Sequence, residues 1–301
     1  MAELVAGAAP FAPGSTDSEE LGPARPSLPA RLLHDRAAAA GLALLGLFVA
    51  LALAAPLVAS ADPNAVDALR RLDPASPAHP LGTDNLGRDT LSRLLHGARV
   101  SLGLTGAATL GVAFLGTAVG ALAGHFGGWA DDLLMRLAEV MLALPGLVVA
   151  LAIVGTLGPG AVNLLLAFLV VSWAGYARVV RGLTLAARER PFVEAARALG
   201  EPELRVLARH VLPTVLPSVV VLASVDAARI LLALSGLSFL GLGVPAPTAE
   251  WGMMLNEARP YLDRAPQLML YPGAALAATA LALNLVGDGL RDALDPRSRG
   301  R

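Results

Sequence analysis

The chain has 301 residues, of which 55% are hydrophobic and 16% are charged, and its mean hydropathy is +0.62, whereas about a quarter of the residues of a soluble domain are charged. The formal charge of −1 excludes a strongly basic surface for nucleic acid, and the absence of cysteine excludes disulfides, thiolate metal sites and cysteine nucleophiles. All 23 basic residues are arginine, so the chain lacks the lysine of a phosphate-binding loop, and any use of ATP requires another subunit.

The first 30 residues are rich in proline, alanine, glycine, serine and acidic residues without periodicity, and we expect them to form a disordered cytoplasmic tail. Residues 31–301 are predicted to form one membrane domain. Crossing a bilayer takes about 20 apolar residues in helical form, and six segments satisfy this requirement. They are residues 37–59, 100–124, 138–157, 161–178, 212–242 and 265–287. The predicted fold class is therefore all-α, a polytopic membrane protein with six transmembrane helices.

The third and fourth predicted spans come from one uncharged run over residues 140–177, which is too long for a single helix. The sequence Gly-Thr-Leu-Gly-Pro-Gly over residues 155–160 interrupts this run and predicts a tight turn between two helices. The distribution of arginine predicts the orientation, because positively charged loops remain on the cytoplasmic side. With a cytoplasmic N-terminus, fifteen arginines lie on the inner side and six in outer loops, so both termini are predicted to be cytoplasmic.

The most informative segment is residues 181–213, an arginine-rich loop between two spans in which apolar residues still recur at helical spacing. These residues are Phe192, Ala195, Ala196 and Leu199. Gly200 suits a left-handed turn at a helix end, and Pro202 suits the start of a second helix. The segment therefore predicts a helix, a glycine turn and a second helix, with Pro213 in the first turn of the fifth span. A helix lying on the membrane surface is the alternative interpretation.

The run Glu194-Ala195-Ala196, followed by Gly200 and then by Leu212-Pro213, resembles the EAA loop of the membrane subunits of bacterial ABC importers. His210 and Val211 stand before the Leu-Pro pair, a variant similar to the oligopeptide, dipeptide and nickel branch of these permeases. Three further segments support that branch. They are His-Pro-Leu-Gly-Thr-Asp-Asn-Leu-Gly-Arg-Asp over residues 79–89, Ser-Phe-Leu-Gly-Leu-Gly over 238–243 and Gly-Asp-Gly-Leu-Arg-Asp-Ala-Leu-Asp-Pro-Arg over 287–297. The resemblance extends from Arg31 to the C-terminus.

The resemblance implies a permease subunit of the bacterial inner membrane that pairs with a second, homologous permease and rests on two cytoplasmic ABC ATPases. ATP and Mg would be used by those partners, while this chain would bind no cofactor and catalyse no reaction. The EAA loop would be the cytoplasmic coupling helix. The residues carried over as ATPase-docking contacts are Glu194, Ala195, Ala196, Gly200 and Pro213.

On the outer side, the resemblance implies docking of an extracytoplasmic solute-binding protein on the first loop and on residues 244–267, where residues 250–255 suggest a short surface helix. The implied function is ATP-driven import of short peptides, with import of nickel or a chelated metal as the alternative. Two other classes are less favoured. A self-contained secondary transporter usually shows internal repeats with broken helices, and an intramembrane enzyme would need a polar dyad at membrane depth.

Asp226 and Arg229 lie three residues apart near the middle of the fifth span, which places them on one helix face. Charges within a membrane are costly and mark a transport pathway or an ion pair. One hypothesis is that the two residues line the translocation route and contact the termini of a peptide. The other, which we favour, is a neutralised structural pair facing the partner permease.

Several smaller patterns carry structural predictions. The stripe of Gly116, Gly120 and Gly124 predicts close helix packing. Single, scattered histidines predict no metal site, and the acidic cluster over residues 84–89 lacks the spacing of a calcium loop. The residues expected to be solvated in a cytoplasmic turn are His125, Asp131 and Asp132. The aromatic residues expected to anchor the outer membrane boundary are Trp251, Tyr261 and Tyr271.

Overall fold

The structure is a computed structural model that describes residues 32–59 and 61–294; the tail predicted over residues 1–30 lies outside them. Within the described residues the chain is helical, and β pairing is confined to one isolated bridge between Thr83 and Asp89. The main helices are α1 (Arg36–Val58), α2 (Thr90–Phe126), α3 (Gly128–Ala143), α4 (Gly146–Leu157), α5 (Ala161–Arg188), α6 (Pro191–Ala198), α7 (Glu203–Val206), α8 (Leu212–Phe239), α9 (Trp251–Ala258) and α10 (Gln267–Leu294). A π-helical turn, Leu207–Val211, joins α7 to α8.

Among the described residues, five helices are long and apolar enough to cross a membrane. They are α1, α2, α5, α10 and the continuous helix Glu203–Phe239, which combines α7, the π turn and α8. The all-α polytopic fold is therefore confirmed. The predicted turn between the third and fourth spans also forms, because α4 ends at Leu157 and α5 begins at Ala161, with Gly158 and Gly160 at positive φ between them.

The third predicted span, over residues 138–157, is not one continuous helix. The segment consists of α3 and α4, which meet at 90° and satisfy the criteria for a span only together. Leu144 at the junction is extended, with φ −95° and ψ 142°. The cause is Pro145, because the ring of a proline disfavours the helical conformation of the preceding residue. With this bent pair, the number of candidate spans in the described chain is six.

α2 defines the two ends of the helical bundle. It has 37 residues and is therefore about 55 Å long at 1.5 Å per residue. Its first turn lies beside α9, since Arg93 forms an ion pair with Glu257. Its last turn lies beside α7, since His125 is 2.8 Å from Glu203. We call these the α9 end and the α6 end.

The predicted glycine stripe brings α2 into close contact with α5. A β-carbon added at Gly120 would collide with the carbonyl oxygen of Ala177, and one added at Gly124 would lie 2.8 Å from the carbonyl oxygen of Arg181. Gly116 is equally crowded by α5. Small residues at this spacing allow two membrane helices to approach at backbone distance. α2 and α5 therefore form a tightly packed pair.

Candidate functional site

α6 has one buried face and one exposed face at the α6 end of the bundle. Val193 and Ala196 are buried against apolar side chains of α2, α5 and the α7–α8 helix. The exposed residues of α6 and its turn are Pro191, Phe192, Glu194, Ala195, Ala198, Leu199 and Gly200. Leu199 exposes 84% of its surface, although leucine is among the residues most often buried in folded proteins. Of the residues predicted to dock an ATPase, Glu194, Ala195 and Gly200 face outward, whereas Ala196 faces the bundle.

The turn after α6 depends on Gly200, as the sequence predicts. Gly200 has φ +78°, its N–H donates to the Arg197 carbonyl oxygen at 2.9 Å, and the N–H of Glu201 donates to the Ala196 carbonyl oxygen at 3.2 Å. These two bonds form a Schellman motif, in which glycine is favoured because a β-carbon disfavours the left-handed conformation. The motif reverses the chain sharply and returns it to Pro202 at the start of α7.

Glu203, the first residue of α7, connects α6 to α2. Arg197 of α6 donates from Nε and Nη2 to the two carboxylate oxygens of Glu203, at 3.0 and 3.2 Å. On the other side, Nε2 of His125 lies 2.8 Å from Oε2 of Glu203. The His125 side chain is fully buried, so the expectation that it is solvated in a turn is wrong. It is buried because α7 folds back over the last turn of α2.

Two further arginines attach neighbouring helices at the α6 end. Arg188 donates from Nη1 to the carbonyl oxygen of Gly124 at 3.1 Å, which satisfies a carbonyl group at the end of α2 that has no partner within the helix. Arg181 forms a bidentate pair with Asp131 of α3, at 2.5 and 2.6 Å. Asp131 is buried, contrary to the solvated turn expected from the sequence, while Asp132 is exposed.

Pro213 is the second residue of α8, but α8 continues α7 and does not begin a new helix. In a regular α-helix the proline ring would clash with the carbonyl group of residue 209. The preceding π turn, in which the N–H of Leu212 donates to the Leu207 carbonyl oxygen, widens the backbone at this position and accommodates the ring. The helix that follows α6 is thus continuous with the fifth span.

Asp226 and Arg229 form a bidentate ion pair, with both nitrogen–oxygen distances at 2.9 Å. Their exposure is unequal, because 71% of the Arg229 side chain is exposed but only 17% of the Asp226 side chain. Arg229 lines a cavity of about 440 Å³ between the α3–α4 bend, α5 and α8. The other lining residues are mostly apolar and include Leu147, Phe168 and Ser172. The pair is therefore neutralised, yet its guanidinium remains available in an apolar cavity.

Four charged side chains connect the first loop to α9 at the α9 end. Arg88 donates to Asp84 at 2.6 Å and to Glu257 at 2.8 Å, and Arg93 donates to the same Glu257 oxygen at 2.7 Å. Both arginine side chains are 1% exposed. Buried charges need partners and hydrogen bonds to offset their desolvation, and this cluster supplies them. Asp84 is thereby an ion-pair residue.

α9 forms where the sequence predicts a short helix, but it is packed inward. Glu250 caps the helix by accepting hydrogen bonds from the N–H groups of Gly252 and Met253, both at 2.9 Å. Trp251 is 1% exposed, and its indole N–H donates to the Leu94 carbonyl oxygen at 3.0 Å. The prediction of a membrane-boundary anchor at Trp251 is therefore wrong, because α9 inserts between α2 and α8. Tyr261 and Tyr271 are half-buried.

Glu203, Arg93 and Glu257 are functional candidates that the sequence did not indicate. Each has a contact partner that lies far away in the chain: 78 residues separate His125 from Glu203, and 164 separate Arg93 from Glu257. The sequence signal that could have indicated them is the presence of charged residues beside predicted spans, since charged residues are seldom buried without a partner. Among the described residues, His, Asp and Glu side chains form no group of three or more suited to a metal ion.

These features define a class: a polytopic helical membrane protein with an exposed helix–turn–helix, α6 to α7, at one end. At the other end the first loop and α9 are joined by buried ion pairs, and we call this surface the platform. Residues 116–300 match a family described as "Binding-protein-dependent transport system inner membrane component", and residues 30–77 match the N-terminal transmembrane domain of oligopeptide transport permease C. The chain belongs to the family of binding-protein-dependent inner-membrane transport components. It is a membrane-spanning permease subunit of an ABC importer.

Curated relatives resemble the chain over most of its length. The nickel transport system permease protein NikC of Escherichia coli is 44% identical over 255 residues, which is 85% of this chain and 92% of the relative. The dipeptide transport system permease protein DppC of Alkalihalophilus pseudofirmus is 38% identical over 269 residues, 89% and 88% of the two chains. The glutathione transport system permease protein GsiD of Pectobacterium atrosepticum is 43% identical over 262 residues, 87% of each.

Proposed function

We propose that α6 is the coupling helix of this permease and docks on a cytoplasmic ABC ATPase, with Glu194, Ala195 and Gly200 in contact with that partner and Ala196 and Pro213 fixing α6 to the fifth span. The observation that carries this proposal is the uncovered outer face of α6, with Leu199 84% exposed. Phe192, Ala195 and Leu199 share this exposed face, and a contiguous apolar patch on a protein surface marks an interaction site. ATP and Mg are used by the ATPase.

Docking of an ATPase on α6 implies the orientation of the subunit in the membrane and the positions of its other partners. The α6 end and both termini lie in the cytoplasm of a bacterial cell, where the ATPases reside, and this agrees with the excess of arginine on that side. A second, homologous permease covers the membrane faces that this subunit leaves open. The α9 end faces outward, and its platform receives a solute-binding protein, for which the buried cluster of Arg88, Arg93 and Glu257 provides a rigid base.

The docking proposal is tested with two exposed leucines at opposite ends of the molecule. Leu199→Asp places a charge on α6, and Leu69→Asp places the same charge on the first loop, where the leucine is 95% exposed. Neither change disturbs buried contacts of this subunit. We expect Leu199→Asp to lose the ATPases when the tagged permease is purified in mild detergent, and Leu69→Asp to retain them. Equal recovery of ATPases with both variants would contradict the docking assignment.

We further propose that the cargo is a short peptide and that Arg229 contacts its carboxylate. Arg229 presents a largely exposed guanidinium in an apolar cavity, and guanidinium binds carboxylates in a bidentate geometry. The relatives named for dipeptide and glutathione transport support a peptide. The relative named for nickel transport supports the second candidate, a nickel ion or a chelated metal.

Uptake assays with the reconstituted importer and its binding protein separate these possibilities. We expect uptake of radiolabelled dipeptide, and a large loss of uptake in Arg229→Leu combined with Asp226→Leu at unchanged protein level. The paired substitution removes both charges, so that no unpaired charge is left in the membrane. Preserved uptake in the double variant would assign the pair a structural role. Uptake of nickel in place of peptide would establish the second candidate.

A further inference from the structure

We propose that Glu203 is a positioning residue for coupling, which transmits displacement of α6 to α2 and through α2 to the opposite end of the molecule. The inference rests on the proposed docking of an ATPase at α6. It starts from the bidentate pair with Arg197 on one side of the carboxylate and from His125 on the other. One carboxylate thereby joins the short helix that receives the force to α2, a helix of 37 residues.

The link to α2 is well suited to transmit movement. The His125 side chain is fully buried, so it cannot swing into solvent when Glu203 moves. Arg188 holds the neighbouring Gly124 carbonyl oxygen at 3.1 Å, which fixes the end of α2 to the end of α5. The pair of Arg197 and Glu203 is charge-assisted, and such hydrogen bonds are about twice as strong as neutral ones, so α7 follows α6. Movement of α7 relative to α2 therefore has to break the contact between Glu203 and the buried His125.

α2 carries the displacement across the membrane. It is one uninterrupted helix of 37 residues, and its glycine stripe is in backbone contact with α5, so bending it would disturb the packing of both helices. At the far end, the first turn of α2 contains Arg93, which is bound to Glu257 of α9. A shift of α2 is therefore transmitted directly to the platform at the α9 end.

A neighbouring pair on the same segment provides a matched control. Glu201 lies 3.2 Å from His210, and both side chains are 27% exposed. This acid–histidine pair resembles the pair of Glu203 and His125 in composition and position, but both its members belong to the segment that follows α6. Removing it leaves the connection to α2 intact. Glu203→Ala therefore removes the contact with α2, whereas Glu201→Ala does not.

The test measures ATP hydrolysed per solute imported by the full complex in proteoliposomes. Coupling free energies between sites typically correspond to about 5- to 150-fold changes, so we expect the ratio in Glu203→Ala to rise at least fivefold, with the ATPases still bound. Glu201→Ala should keep the wild-type ratio. An unchanged ratio in Glu203→Ala, or a parallel loss of hydrolysis and import, would overturn the proposal. Loss of bound ATPase in Leu199→Asp reports on docking separately.

Restoration of the link provides a second readout that a purely structural role would not show. The chain has no cysteine, so a His125→Cys, Glu203→Cys double variant can be bridged by a short bis-thiosulfonate reagent and released by reductant. We expect a high ATP-to-solute ratio in the released form and a ratio near that of the wild type in the bridged form of the same sample. A bridged form that remains uncoupled would overturn the proposal.

Discussion

Replacement of Gly124 by alanine tests whether α2 and α5 are held at backbone distance. The added β-carbon would lie 2.8 Å from the Arg181 carbonyl oxygen and 2.9 Å from Cβ of Thr184, whereas ordinary contact begins at 3.4 Å. The two helices would have to separate by about 0.6 Å at this level. Overpacking of a well-packed interior costs about 1–3 kcal/mol. We therefore expect Gly124→Ala to lower the free energy of unfolding.

The matched control is Gly106→Ala in the same helix, where an added β-carbon has no atom within 4 Å. Alanine favours helix over glycine by up to about 1 kcal/mol, and both variants gain this term. The difference between them therefore isolates the contact with α5 and should equal about 1–3 kcal/mol. The measurement is unfolding of the isolated subunit in mixed micelles with increasing dodecyl sulfate, followed by far-ultraviolet circular dichroism. Equal stability of the two variants would refute the close approach of α2 and α5.

Three further outcomes follow from the site. Gly200→Val should destabilise the turn after α6 by about 1–2 kcal/mol and lower import, because a branched side chain opposes positive φ. The control Gly182→Ala, on an open helix surface, should leave import unchanged. Normal import by Gly200→Val would contradict the turn assignment. Glu257→Gln removes one of the two carboxylates that pair with Arg88 and Arg93, which leaves a buried net positive charge and should cost about 3 kcal/mol in chemical unfolding; wild-type stability would show that those charges are solvated. Trp251→Phe loses one buried hydrogen bond and should cost about 1–3 kcal/mol, and an unchanged midpoint would show that the indole N–H binds water instead.

Local patterns predicted the parts of the fold that depend on local chemistry. The turn near Gly158 and the left-handed turn at Gly200 follow from the conformational freedom of glycine, which acts within a few residues. The long apolar segments follow from composition alone. The α3–α4 bend also has a local cause in Pro145, and the sequence prediction missed it because the apolar run continues unbroken past the proline.

The ion pairs that define the two ends of the molecule could not be predicted in this way. Burial of His125 depends on α7, which lies 78 residues away in the chain, and burial of Trp251 depends on how α9 inserts among helices from other parts of the sequence. Charge and hydropathy describe a single residue, and they do not indicate which distant segment of the chain packs against it. The sequence therefore indicated which residues carry charge, and the tertiary structure determined which of them are joined.

The right angle between α3 and α4 has a consequence for how the chain enters the membrane. α4 has 12 residues and α3 has 16, which gives helices of about 18 and 24 Å, both shorter than the roughly 30 Å of the hydrocarbon layer. Neither helix is long enough to cross the hydrocarbon layer by itself. We therefore expect the bent pair to be retained until α5 has been synthesised and can pack against it, so that α3, α4 and α5 enter the bilayer together.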